Sequence, residues 1–279
     1  MSARADRRDA RRIVSLVPSL TEALFELGLG ERVVGVTEWC VHPREAVAGL
    51  PKIGGTKTPD VAAIRALNPD LVIANHEENR RRDVDRLVAA GIPVWVTYPR
   101  TVHEGADLLA ELAELGASPE RVRAVVEPVR AAVAAAEAEP ASAPLRVFCP
   151  IWKHPWMTVG ADTYAHDLIR LCGGANVFAE WGDRRYPLVA EGDIVAAAPE
   201  VVLLPDEPYR FDDRDSHELQ GWDLPAARDR RIHLIDGTWV SWYGPRIRGA
   251  IETLRGILGS GSSSGSSSSF GSRSSIDDA

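Results

Sequence analysis

Cysteine is scarce in this chain: Cys40, Cys149 and Cys172 are the only three among 279 residues. An odd, widely spaced set excludes a disulfide framework and a CxxC metal site, and leaves small buried hydrophobes as the ordinary role for each. Long apolar runs are missing too. The first, from Ile13 to Val17, is cut by Pro18 and is too short for a membrane span or a signal peptide, so the reading places the protein in the cytoplasm with no membrane span. No basic stripe follows the N-terminal arginines, and with a net charge of −8 nucleic acid is not an expected partner. Catalytic signatures fail as well, with no GxSxG elbow, Walker loop, GxGxxG or HExxH to be found, so turnover is not expected.

What is present is a strand and helix alternation. Residues 12–17 read as a buried strand, followed after Pro18 by an amphipathic helix in which Ser19 and Glu22 form a capping box. Further strands fall at 33–37, 70–74 and 93–97, with helices at 61–67, 83–90 and 103–115 between and after them. The alanine-rich stretch 118–137 is a longer helix, capped by Ser118 with Pro119 at its first position and open to a kink at Pro128. A second half then repeats the first. DVAAIRALNPDLVIA at 60–74 aligns without a gap on AEGDIVAAAPEVVLL at 190–204, pairing Ile64 with Ile194, Pro69 with Pro199 and Asp70 with Glu200.

The implied division is a disordered segment 1–11, an α/β lobe 12–115, a connecting helix 116–140, a second α/β lobe 141–258 and a disordered Gly/Ser tail 259–279. Apolar strands joined by helices imply mostly parallel sheets, which place ligands beyond the carboxyl ends of their strands. Two such lobes on one rigid helical rod share a cleft there, with little hinge closure.

The runs RIVSLVPSLTEALFELGLGERVVGVTEWCVHP and PKIGGTKTPDVAAIRALNPDLVIANHEENRRRDVDRLVAAGIPVWV, with GADTYAHDLIRLCGGANVFAE and WVSWYGPRIRGAIETL later, resemble the helical-backbone substrate-binding proteins of ABC importers. That family takes cobalamin, haem and iron–siderophores, and the cobalamin-binding branch is the nearest. The resemblance implies two Rossmann-like lobes, a cleft ligand held by aromatic side chains, no required cofactor, and a corrinoid or another metal chelate as the ligand. Haem, a ferric siderophore, direct metal-ion binding and a ligand-sensing module are the alternatives. By position, the cleft loops carry six of the eight tryptophans: Trp39, Trp152, Trp156, Trp181, Trp239 and Trp242. A wide apolar face with one donor suits a flat macrocycle.

The resemblance also marks departures. Surface glutamates that dock on the permease in the cobalamin branch are here Ala62 and Gly192, with Asp60, Glu191 and Asp193 as neighbouring acids, which weakens the permease partnership and suggests a cytosolic relative. An aromatic expected after LVIA is Asn75, and one near Thr56 is missing, whereas Tyr186 keeps its position before Pro187. The candidate ligand-binding set is therefore Trp39, Cys40, Asn75, His76, Trp152, Lys153, His154, Trp156, Arg185, Tyr186, Trp239, Trp242 and Tyr243. His76 and His154 are the candidate metal or axial ligands, one from each lobe, with Cys40, His42, Glu77 and Glu78 nearby in sequence. Lys153, Arg100, Arg184 and Arg185 are candidates for ligand carboxylates or phosphates.

Overall fold

The structure, a computed structural model, describes residues 6–182 and 184–259. Twelve strands are found there: β1 (Ile13–Ser15), β2 (Val33–Val36), β3 (Gly54–Gly55), β4 (Thr58–Pro59), β5 (Leu71–Asn75), β6 (Val94–Thr97), β7 (Leu145–Phe148), β8 (Pro150–Trp152), β9 (Met157–Thr158), β10 (Gly174–Asn176), β11 (Val201–Pro205) and β12 (Ile232–Ile235). They form two parallel four-stranded sheets of the same winding, β2-β1-β5-β6 and β10-β7-β11-β12, with β3–β4 and β8–β9 as short antiparallel ribbons. β5 and β11 are buried along their whole length, which is why they read as unbroken apolar runs rather than alternating ones.

The repeat seen in the sequence is a repeat in space. The helices Val61–Ala66 and Glu191–Ala197 precede β5 and β11 at matching positions, and Ile64 and Ile194 are each fully buried beneath them. Each helix ends against an arginine from the start of the first strand of its own sheet. The Arg12 guanidinium donates to the carbonyls of Leu67 (2.6 Å) and Asn68 (3.1 Å), and that of Arg146 to the carbonyls of Ala197 (3.1 Å) and Ala198 (3.4 Å). The paired acids complete the clamp: Asp70 accepts from the Arg12 amide at 2.9 Å and Glu200 from the Arg146 amide at 2.8 Å. A cation on the last carbonyls of a helix satisfies acceptors that have no partner within the helix.

Helices cover both faces of each sheet. The outer faces hold separate apolar clusters, around Ile64 and Leu87 in one lobe and Phe178 and Ile194 in the other. The inner faces share one core with the helices Pro18–Glu26, Val102–Ala113, Tyr164–Leu171 and Ile247–Gly259, so the lobes are joined by packing as well as by the rod.

That rod runs from 119 to 138 as the helix Pro119–Arg121, a π-helical turn Val122–Val126 and the helix Glu127–Ala138. The sequence points to a kink at Pro128. What is found is a widened turn just before it, in which the Glu127 amide donates to the Val122 carbonyl. Proline lacks a donor and crowds the carbonyl one turn back, and the wider turn absorbs both effects. Two other expectations change. The helix after β1 is capped at Val17 with Pro18 in its first turn, so Ser19 lies inside it with its hydroxyl buried and unbonded, and Glu22 reaches the other lobe instead of its own cap. Part of the segment read as disordered is built: Asp6–Asp9 form a 3-10 turn, Ala10 is buried, and Arg7 lies 4.3 Å from the Trp95 ring centroid. A polar composition hid the apolar stems that arginine lays on a surface. The Gly/Ser tail beyond Gly259 lies outside the described residues.

Candidate functional site

The carboxyl ends of both sheets carry loops that meet across the lobe boundary. On the first lobe the central device is Asn75, the last residue of β5 and 1% exposed. Its side-chain oxygen accepts from the amides of Glu77 (2.8 Å) and Glu78 (3.2 Å), and its nitrogen donates to the Tyr243 hydroxyl of the second lobe at 2.6 Å. Where the resemblance implies an aromatic ring, this asparagine knots the loop, turning the consecutive carboxylates Glu77 and Glu78 toward the second lobe.

Glu77 makes the principal bridge. Its carboxylate accepts from the Tyr186 hydroxyl at 2.6 Å and lies 3.1 Å from the Arg185 guanidinium, which also faces Asp162 at 3.4 Å. The Arg185 guanidinium stands 4.9 Å from the Tyr98 ring centroid, and the His76 ring packs on Tyr98 with centroids 4.4 Å apart. A second bridge joins Glu22 to Arg246 through two contacts at 2.7 and 2.8 Å, with the guanidinium 4.8 Å from the Trp242 ring centroid. His42 meets Trp242 edge-on at 5.8 Å, so the loop after β2 also touches the second lobe.

Burial shifts the titration of this seam. The Glu78 carboxyl is pushed up to about 8, first by desolvation, which Lys57 opposes and the neighbouring charges of Glu207 and Glu77 reinforce. Glu207 is raised as well, again mainly by burial. Its carboxylate accepts from the Ser241 hydroxyl at 2.7 Å. Gly237 packs against it so closely that a Cβ there would fall 2.5 Å from the Glu207 Cγ.

Four of the candidate residues stand open at the loop mouths: Trp39 is 64% and Trp152 45% exposed, and His76 and His154 are exposed too. Trp181, in a cleft loop but outside that candidate set, is 42% exposed. Trp239 is half-buried against the shared core, and Trp152 is steadied edge-on by Tyr209 at 5.6 Å. Others are turned inward. Trp156 stacks on Phe211 and meets Phe148 and Trp222 edge-on inside the second lobe, so it fills core rather than presenting a face. Lys153 is 6% exposed and is taken up by Asp215 at 2.6 Å and Glu218 at 2.8 Å, an anchor for the β8–β9 ribbon rather than a free cation. Cys40 is buried beside Thr21 and Thr37, each with an oxygen 3.1 Å from its sulfur, and burial raises its thiol. Trp242 and Tyr243 are buried seam residues.

The pairing of His76 with His154 gains no further ligand, since no group of three or more histidine, cysteine, aspartate or glutamate side chains able to hold a metal is found among the described residues. A cavity of about 330 Å³ beside Tyr98 and Trp95 is lined by first-lobe residues only, so it is not the space between lobes. Glu207 was missed by sequence reasoning, yet a signal existed. Extending the gapless alignment past β5 and β11 places Glu207 opposite Glu77, one carboxylate from each copy of the repeat.

The sequence pattern of the periplasmic binding protein family matches residues 13–237. The vitamin B12-binding protein of Vibrio cholerae is 27% identical over 248 residues, spanning 88% of this chain and 88% of its own. The crystal structure of the periplasmic vitamin B12 binding protein BtuF of Vibrio cholerae superposes with a TM-score of 0.80 at 26% identity, covering 90% of this chain and 97% of that one. The periplasmic heme-binding protein RhuT from Roseiflexus sp. RS-1, in apo form, gives 0.71 at 28% identity, covering 89% and 98%.

Two wound lobes with loops facing across a bridged seam define a cleft-type binding protein. The chain belongs to the periplasmic binding protein family. This corrects the cytoplasmic placement and the cytosolic relative it suggested: the family and the solved relatives are periplasmic, and the argument from the first residues does not stand against them. No helix among the described residues is long and apolar enough to cross a membrane.

Proposed function

We propose that the chain is the substrate-binding component of an ABC importer and that it holds a corrinoid between its lobes. One observation carries the reading: Trp39, Trp152 and Trp181 hold their indoles in solvent at the carboxyl ends of both sheets. Large exposed indoles cost free energy when nothing covers them, and a flat macrocycle is a suitable cover. Relatives named for vitamin B12 support the ligand class. Turnover is no part of this reading, which follows relatives named as binding proteins. The permease is the implied partner. Ala62 and Gly192, both exposed on the matching helices of the two lobes, leave its docking to the acids beside them, Asp60, Glu191 and Asp193.

Haem is the second reading, supported by the RhuT likeness. Tryptophan fluorescence titrated with cyanocobalamin, dicyanocobinamide and haem separates the two: a saturable response at one ligand per chain is expected with the corrinoids. Flat titrations with all three overturn both readings. Trp152→Ala is expected to weaken corrinoid binding by about 1 to 3 kcal/mol, the loss typical of a buried aromatic contact.

A further inference from the structure

The helices Val61–Ala66 and Glu191–Ala197 run back into β5 and β11, and the helices Arg81–Ala89 and Asp213–Gln220 leave those same strands. All four start at the carboxyl edge of a parallel sheet. In each lobe the two share an apolar cluster, Ile64 with Leu87 and Ile194 with Leu219. The acids beside Ala62 and Gly192 are unevenly divided, with Asp60 on the first lobe and Glu191 and Asp193 on the second. Two of the three also cap their helices: Asp60 accepts from the Ala62 and Ala63 amides at 2.9 and 3.0 Å, and Asp193 from the Ala190 amide at 2.8 Å. Docking through these acids alone gives the two lobes unequal contacts.

Arg80 and Arg210 are divided evenly. Each stands five residues beyond the last residue of its strand, Asn75 or Pro205, so the alignment that pairs Glu77 with Glu207 pairs these arginines too. Both are exposed, and neither side chain makes an ion pair or hydrogen bond among the described residues, whereas the adjoining Arg81, Arg82 and Arg86 face Asp85 or Asp83. Arg44, Arg184 and Arg214 are exposed and unpaired as well, but no arginine stands opposite them in the other copy. Resting on the importer reading, we infer that Arg80 and Arg210 are a matched pair of docking cations for the permease. Each meets a carboxylate, and because the arginines hold the same place in both copies, those carboxylates sit at equivalent places on a two-fold symmetric partner. The guanidinium fork takes a carboxylate through two parallel bonds, and at a rim contact such pairs govern capture and salt dependence. Cobalamin, with one phosphodiester and no second acid, cannot satisfy both lobes.

The test measures binding of the fluorescently labelled chain to the permease complex of its own importer in nanodiscs, with and without cyanocobalamin. Arg80→Glu combined with Arg210→Glu is expected to lower affinity by about tenfold or more and to flatten its dependence on salt, with the two single variants falling by similar factors. Arg44→Glu combined with Arg214→Glu, the same charge change at arginines without counterparts, is expected to cost no more than about threefold. Wild-type binding that the first pair leaves unchanged overturns the inference, as does an equal loss from the second pair or a loss confined to one of the two lobes. Arg80→Gln with Arg210→Gln decides the matter if the glutamate pair does not fold. A haem affinity lowered by that variant, with haem dimethyl ester unaffected, assigns the arginines to ligand carboxylates and also overturns the inference. Saturable cyanocobalamin binding by a wild-type chain that never binds the permease removes the importer reading, and this inference with it.

Discussion

Arg12 and Arg146 hold equivalent places in different lobes, each closing the end of a helix and each tied to an acid at the next strand, Asp70 or Glu200. The loops a few residues further along share almost nothing. After β5 the chain runs Asn-His-Glu-Glu-Asn, with Asn75 binding its own turn, whereas after β11 it runs Pro-Asp-Glu-Pro-Tyr, with Asp206 accepting from the Gly237 amide at 2.7 Å. The contrast is instructive because both sheets keep one winding order. Positions that hold a strand to its helix are fixed by geometry common to both copies, and positions beyond the strand ends are free to take up ligand chemistry.

The ribbons give the sharpest way to break the comparison. Lys153 at the β8–β9 ribbon is buried against Asp215, whereas Lys57 at the β3–β4 ribbon is exposed. Lys153→Met leaves the Asp215 carboxylate buried without its cation and is expected to cost about 3 to 5 kcal/mol in urea unfolding. Lys57→Met is expected to stay within about 0.5 kcal/mol, as surface changes do. A loss at Lys153 no larger than at Lys57 would show that the two ribbons are anchored alike.

A second measurement uses pH. Glu78, with an ordinary value of 4.5, keeps its proton in the folded chain up to about 8, while the unfolded chain has already lost it. Stability from this group is therefore full below the lower value and falls as pH rises toward the higher one, by at most about 1.4 kcal/mol per pH unit. Glu78→Gln is expected to flatten that slope between about pH 5 and about pH 8. A slope unchanged in the variant would mean that the first-lobe loop is as solvated as an ordinary surface.

Much of the scaffold was legible in the sequence because burial on both faces forces apolar runs at 71–74 and 201–204, and the gapless repeat pairs them position by position. The site was legible in outline only. Tryptophan marks a loop but not its facing, so Trp152 and Trp156, four residues apart, end in different surroundings, one in solvent and one in the core. Facing depends on long-range partners such as Phe211 and Asp215, which no local pattern announces. Glu77 was noticed only as a neighbour of His76, since its bridge to Tyr186 joins residues far apart in the chain.

The clamps themselves are open to test. Arg12→Ala and Arg146→Ala are each expected to cost about 1 to 2 kcal/mol, since each removes charge-assisted bonds to helix-terminal carbonyls at a solvent-exposed position. Similar losses in the two variants would confirm equivalent roles, and a loss in one lobe alone would show that only one copy still depends on the clamp.

The smallest effect is also the most exact probe of how the copies diverged. Asn68 and Ala198 occupy the same turn between helix and strand and share a left-handed backbone, with φ of 45° and 43°. Asparagine tolerates that region because its short polar side chain bonds locally, but alanine brings its Cβ against the carbonyl and is strained there by about 1 to 2 kcal/mol. Glycine removes the clash and adds about 0.5 to 1 kcal/mol of unfolded-state freedom, so Ala198→Gly is expected to stabilise the protein by about 0.5 to 1 kcal/mol. Asn68→Gly is expected to be neutral or slightly unfavourable. Urea midpoints of the two variants decide the matter: a gain at 198 with none at 68 means that the second lobe carries backbone strain which the first relieves with one amide side chain.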